Sequence, residues 1–102
     1  MKKYDKLVRD LIPEVIKKDG KECDVYICEK AEFTKRLEDK LQEEVNEYLE
    51  EKNLEELADV MEVLFGLAEN LGYSEKELLK KREEKLKDRG GFKKGIVLQG
   101  VK

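Results

Sequence analysis

Between positions 33 and 71 the apolar residues recur at helical intervals on either side of a single turn, and this pattern constrains the fold more than any other feature of the chain. Phe33, Leu37, Leu41, Val45, Tyr48 and Leu49 are mostly three or four residues apart and form one stripe of an amphipathic helix. The stripe ends near Glu51, where Lys52-Asn53 reads as a turn. Asn53 is a good N-cap, and Glu56 stands three residues later as in a capping box. A second helix is predicted from Leu54 to about Leu71, with Gly72 as its stop. Its apolar residues, running from Leu54 and Leu57 through Met61, Leu64 and Phe65 to Leu71, cover well over half its circumference. A helix that apolar belongs at the centre of a structure and calls for cover from another subunit.

The flanks are shorter elements. Pro13 suits the first turn of a short helix that runs to about Lys18 and closes at Asp19-Gly20. The stretch "ECDVYIC" (22–28) is rich in β-formers and is a candidate strand. Ser74 and Glu77 repeat the capping-box spacing and open a further helix to about Arg89, which Gly90-Gly91 ends; "GIVLQ" (95–99) is a second candidate strand. Without repeats, low-complexity tracts or linkers, residues 1–102 read as one mainly α domain. The expected architecture is a helical hairpin core completed to a four-helix bundle by oligomerisation, with a small two-stranded β element if the candidate strands pair. A homodimer is the expected assembly and a tetramer the alternative.

Several function classes drop out. Charged residues make up 46% of the chain but the net charge is only −3, so there is no general pull toward nucleic acid or membrane. No apolar run approaches the roughly 20 residues of a membrane span. The N-terminal "MKKYDKLVRD" lacks a signal-peptide core, so the cytoplasm is the expected location. Cys23 and Cys28 do not form a CxxC pair and read as reduced thiols. The chain has no histidine, which removes Ser-His-Asp triads, the usual zinc sites and the Glu-x-x-His di-iron motif. There is no GxxxxGK[ST] loop either.

What remains is carboxylate chemistry. Glu44 and Glu47 lie one turn apart on the first long helix, and Glu56 and Asp59 one turn apart on the second. The pairs are mirrored about the turn, so an antiparallel hairpin sets each acid level with its counterpart, on axes about 8–10 Å apart. By helical angle, Glu44 and Asp59 fall at the edges of the apolar arcs and Glu56 inside one, while Glu43, Glu50, Glu55 and Glu62 fall on the outer sides. Carboxylates clustered against apolar walls repel one another unless protons or cations intervene. Oxygen-only donors favour a hard ion such as Mg²⁺.

The stretch "KLQEEVNEYLEE…LEELADVMEVL" resembles the metal-binding core of the all-α nucleoside triphosphate pyrophosphohydrolase superfamily, with EExxE on one helix and ExxD on the next. "YDKLVRDLIPEVI", "LAENLGYS" and "KREEKLKDRGGFKKGIVL" are similar to its small stand-alone MazG-like, phosphoribosyl-ATP pyrophosphohydrolase-like branch, so the resemblance spans nearly the whole chain. It implies that Glu44, Glu47, Glu56 and Asp59 bind Mg²⁺ (or Mn²⁺), with Glu44 and Glu47 as the catalytic carboxylates. The implied reaction cleaves a nucleoside triphosphate, noncanonical ones included, to the monophosphate and pyrophosphate. Lys6, Arg9, Lys40, Arg82, Lys85 and Arg89 are the candidate phosphate-binding residues, since a metal-bound triphosphate still presents negative oxygens. Two other readings stand beside this one: a phosphoribosyl-ATP pyrophosphohydrolase, and a non-enzymatic helical oligomerisation module whose acids only solubilise it.

Overall fold

The computed structural model describes residues 3–102 and contains four helices: α1 (Ile12–Lys18), α2 (Lys30–Glu51), α3 (Leu54–Asn70) and α4 (Glu75–Arg89). The caps explain the boundaries. Lys52 adopts the left-handed conformation at φ 52° and its N–H bonds the Tyr48 carbonyl at 2.7 Å, which stops α2. The next residue, Asn53, is extended, and its side chain accepts from the Glu56 N–H at 2.9 Å to start α3. At the far end of α3, Gly72 N–H bonds the Glu69 carbonyl and Tyr73 N–H bonds that of Ala68, both at 2.9 Å. This is the paired closure of a Schellman motif, and Gly72 takes the positive φ it needs, 96°. Ser74 and Glu77 form the complete capping box of α4.

α2 and α3 pack as the predicted antiparallel hairpin. Thr34 hydrogen-bonds Asn70 across the open end at 2.9 Å, Leu37 lies against Gly66, and Glu44 meets Asp59 nearer the turn. Each step along α2 is therefore matched by a step back along α3. Gly66 permits the close approach, since a Cβ there would sit 3.2 Å from Leu37 Cδ2. Leu37, Val63 and Ala68 are the buried apolar residues, and all belong to this hairpin. α4 packs on α3 alone, and α1 on no helix.

The mainly α fold is as predicted, but the two candidate strands are not. Residues 22–28 and 95–99 form no strand, and among the described residues neither stretch makes a backbone hydrogen bond that would build a ladder, the single turn at Gly95 aside. β-propensity reports fit to a paired surface, and here no pairing segment lies alongside. No described helix is long and apolar enough to cross a membrane.

Candidate metal centre

The antiparallel register brings carboxylates from both helices to one place. One oxygen from each of Glu44, Glu56 and Asp59 lies within 4.8 Å of the others, and Glu43, Glu44 and Glu47 form a second such group. Glu44 belongs to both and is the one buried charged residue among those described, 7% exposed. The four acids picked out by the spacing thus fall into two groups that share Glu44.

Their electrostatics are unfavourable as they stand. Burial pushes the Glu44 carboxyl above its ordinary range, against the pull of Lys40 and with the repulsion of Glu47. Desolvation likewise raises Glu56, followed by the charges of Asp59 and Glu44. Glu44 Oε2 and Glu56 Oε2 are buried with no hydrogen-bond partner among the described residues. Buried polar atoms are almost always satisfied, so two unpartnered carboxylate oxygens facing one acidic cluster call for a proton or a cation. Hard oxygen donors spanning less than 5 Å suit one divalent ion with metal–oxygen distances of about 2.0–2.6 Å after small rotamer shifts. The residues present therefore fit the implied ion.

The basic residues divide. Lys40 Nζ lies 3.2 Å from Glu44 Oε1 and 3.0 Å from Glu43 Oε2. Desolvation lowers the Lys40 pKa, but Glu43 and Glu44 together outweigh that and raise it, keeping the ammonium charged. The N-terminal segment then crosses the hairpin as a strap. Lys6 Nζ sits 3.2 Å from Glu43 Oε1, and Arg9 Nη2 2.6 Å from Asp59 Oδ1. Arg36 on α2 holds the strap, bonding the Asp5 carbonyl at 2.9 Å and its carboxylate at 2.8 Å. Lys6, Arg9 and Lys40 thus reach the acidic cluster. Arg82, Lys85 and Arg89 do not: they lie on the exposed α4, and Arg89 Nε is 3.7 Å from Asp88. Their helical spacing gives them a common face, but among the described residues no ion pair joins that face to the hairpin's carboxylates.

Two features escaped the sequence reading. Glu43, placed on the outer side by its helical angle, is half-buried and held by both Lys6 and Lys40. Desolvation opposes its charge, yet the two lysines prevail and keep its carboxyl below the ordinary range. The position is polar with respect to the hairpin, but the strap covers it. The second is a cleft of about 230 Å³ between strap and hairpin, in which Leu7, Phe33, Leu37, Val63 and Phe65 face Lys40, Glu44 and Asp59. Phe92 is fully exposed on the C-terminal tail, and neither it nor Tyr48 lines this cleft. Comparison of the chain with protein-family models, curated proteins and solved structures returned no match.

Proposed function

We propose that this protein is a Mg²⁺-dependent pyrophosphohydrolase, tolerant of Mn²⁺, that cleaves a nucleoside triphosphate to the monophosphate and pyrophosphate. The observation that carries the reading is the meeting of Glu44, Glu56 and Asp59, two of them with orphaned oxygens, beside three cationic side chains and an apolar cleft. Glu44, Glu56 and Asp59 would hold the cation, with Glu47 completing the set. When bound, that ion supplies charge neutralisation for the phosphates and a more acidic water. Glu47, which neighbours both Glu44 and Glu56, would accept the proton of the attacking water. Lys6, Lys40 and Arg9 are within reach of phosphate oxygens bound at the cluster, Arg9 by exchanging Asp59 for the substrate. Phe33 and Phe65 offer the base an apolar wall. A homodimer is part of the proposal, with the outward stripe of Leu54, Leu57, Met61 and Leu64 on α3, exposed in the single chain, as the face to be covered.

Pyrophosphate release from a panel of nucleoside triphosphates should appear with Mg²⁺ and vanish with EDTA. Activity that survives both Glu44→Gln and Asp59→Asn would refute the assignment of the site. Phosphoribosyl-ATP belongs on the same panel, and preferential turnover of it would move the enzyme to that substrate. The non-enzymatic reading draws on the same exposed apolar stripe, and it predicts no effect of divalent cations on the melting temperature.

A further inference from the structure

The chain exposes more surface than a folded domain of its size. Its accessible area is 9816 Å², whereas about 6,000 Å² is usual for a monomer of 12.0 kDa. Its radius of gyration is 17.7 Å, against about 13 Å for a compact domain of this length. The excess is several times the roughly 800 Å² that each partner of a standard protein interface buries.

Part of that excess lies in two extended segments with opposite charge. Residues 22–29 carry Glu22, Asp24 and Glu29 around the β-formers Val25, Tyr26 and Ile27. Residues 93–102 carry Lys93, Lys94 and Lys102 around Ile96, Val97 and Leu98, and no acid. Val25 and Ile27, on one face of the first segment, are 62% and 95% exposed. Ile96, Val97 and Leu98 are each more than three-quarters exposed. Among the described residues, no backbone group of 22–28 or 96–102 bonds another backbone group. The first segment is nonetheless pinned: the Tyr26 hydroxyl donates to Glu32 on α2, and Arg36 reaches the same hydroxyl at 3.4 Å. A tethered β-forming stretch with free N–H and C=O groups is a template for an added strand.

We propose that the occupant of this template is the C-terminal segment of a second copy, so that two chains exchange tails, each pairing residues 95–99 in parallel with residues 22–28 of the other, which brings Lys93 and Lys94 to the end that carries Glu22 and Asp24. The charges are complementary, both segments are left bare in the single chain, and the two exchanged pairs draw on the surplus surface. The proposal stands apart from the enzymatic reading and does not need the metal centre.

Charge reversal tests it in the full-length chain. One variant carries Lys93→Glu and Lys94→Glu, the other Glu22→Lys and Asp24→Lys; all four side chains are exposed, so the helices should keep their circular dichroism. Each variant alone sets like charges opposite one another in both exchanged pairs and should self-associate about tenfold or more weakly at low salt. Mixed in equal amounts, they restore both pairs, and native mass spectrometry should find the heterodimer well above its binomial share. All four substitutions in one chain should recover self-association. Heterodimer at its binomial share, or an unaltered chain that stays monomeric at high concentration, would overturn the proposal. So would a tail that pairs within its own chain, because mixing would then change nothing.

Discussion

Lys40→Met tests the electrostatic account of the site most directly. The substitution keeps most of the apolar stem but removes the only ammonium among the described residues that touches Glu44, whose side chain is 9% exposed. At 3.2 Å and an effective dielectric constant of about 20, one such pair has a gross attraction of about 5 kcal/mol. Desolvating both ions offsets much of that. Removing one partner of a fully buried pair costs about 3–5 kcal/mol; with Lys40 itself 16% exposed, about 2–3 kcal/mol is the expected loss. For a chain of this length that lowers the melting temperature by about 10 °C or more. The assay is a thermal melt in EDTA at fixed protein concentration, repeated with excess Mg²⁺ and in the Glu44→Gln background. Mg²⁺ should stabilise the Lys40→Met protein more than the unaltered one, because the ion replaces the missing charge. In the Glu44→Gln background the cost should shrink, giving a coupling of about 1 kcal/mol or more. If Lys40→Met melts with the unaltered protein in EDTA, or if the two substitutions are additive, Glu44 is not a buried charge held by Lys40.

Three other outcomes follow from the same geometry. Because burial, offset by Lys40 and aided by Glu47, raises the folded Glu44 pKa above its ordinary 4.5, the native state holds that proton more tightly than the unfolded chain. The charged form therefore reduces stability above the folded pKa and the effect disappears below about pH 4.5; in EDTA, Glu44→Gln should melt with the unaltered protein at pH 4 and above it at pH 8. The Arg9–Asp59 pair is partly exposed at both ends and is worth at most about 1 kcal/mol, so Arg9→Gln should shift the melting temperature only a few degrees. The same change should strengthen Mn²⁺ binding, measured by titration calorimetry, and lower turnover; a melting loss above about 10 °C would instead make the strap a structural pin. Asn53→Ala removes the 2.9 Å bond to the Glu56 N–H and should cost about 1 kcal/mol in chemical denaturation.

The parts of the fold set by nearby residues were legible in the sequence. Helical spacing, the Asn53 and Ser74 caps and the Gly72 stop placed the helix boundaries within about a residue, because each is decided within one or two turns. The mirrored acids followed, since a tight turn between antiparallel helices leaves little freedom of register. The strap was not legible in this way. Its contacts join Lys6 to Glu43 and Arg9 to Asp59 across 37 and 50 positions, and helical periodicity carries no information about what crosses an outer face. That is why Glu43 was assigned to solvent. The strands failed for the opposite reason: the composition of 22–28 and 95–99 was read correctly, but a strand exists only when its partner does. Spacing alone gave Arg82, Lys85 and Arg89 a shared face without saying what that face meets.

The chain contains its own control for whether the acidic cluster is incidental. Ser74 with Glu77 and Asn53 with Glu56 have the same spacing at the start of a helix. At Ser74 the box closes in both directions, with the Glu77 N–H bonding the serine hydroxyl and the Glu77 carboxylate accepting from the Ser74 N–H at 3.1 Å. At Asn53 only the first half forms: the Glu56 N–H bonds the asparagine side chain, but no bond returns from the Glu56 carboxylate to the Asn53 N–H. That carboxylate points instead toward Glu44 and Asp59, where burial and their charges raise its pKa and one oxygen is left unpartnered. If Glu56 were simply a capping residue, the return bond is the lower-energy arrangement, satisfying a donor and keeping the acid in solvent as Glu77 does. Turning into the cluster exchanges the bond to the Asn53 N–H for one with Glu47 and adds burial and the repulsion of Asp59 and Glu44, so with the acids ionised it is by itself unfavourable. A counter-charge at the cluster reverses that balance, and the three cationic side chains that reach Glu43, Glu44 and Asp59 leave Glu56 itself unserved. The direct test is to restore the alternative: Glu56→Gln keeps the capping geometry and removes the charge, so it should raise the melting temperature in EDTA while abolishing the stabilisation by Mg²⁺. An unchanged response to Mg²⁺ in that variant would show that Glu56 faces the cluster for some reason other than a cation.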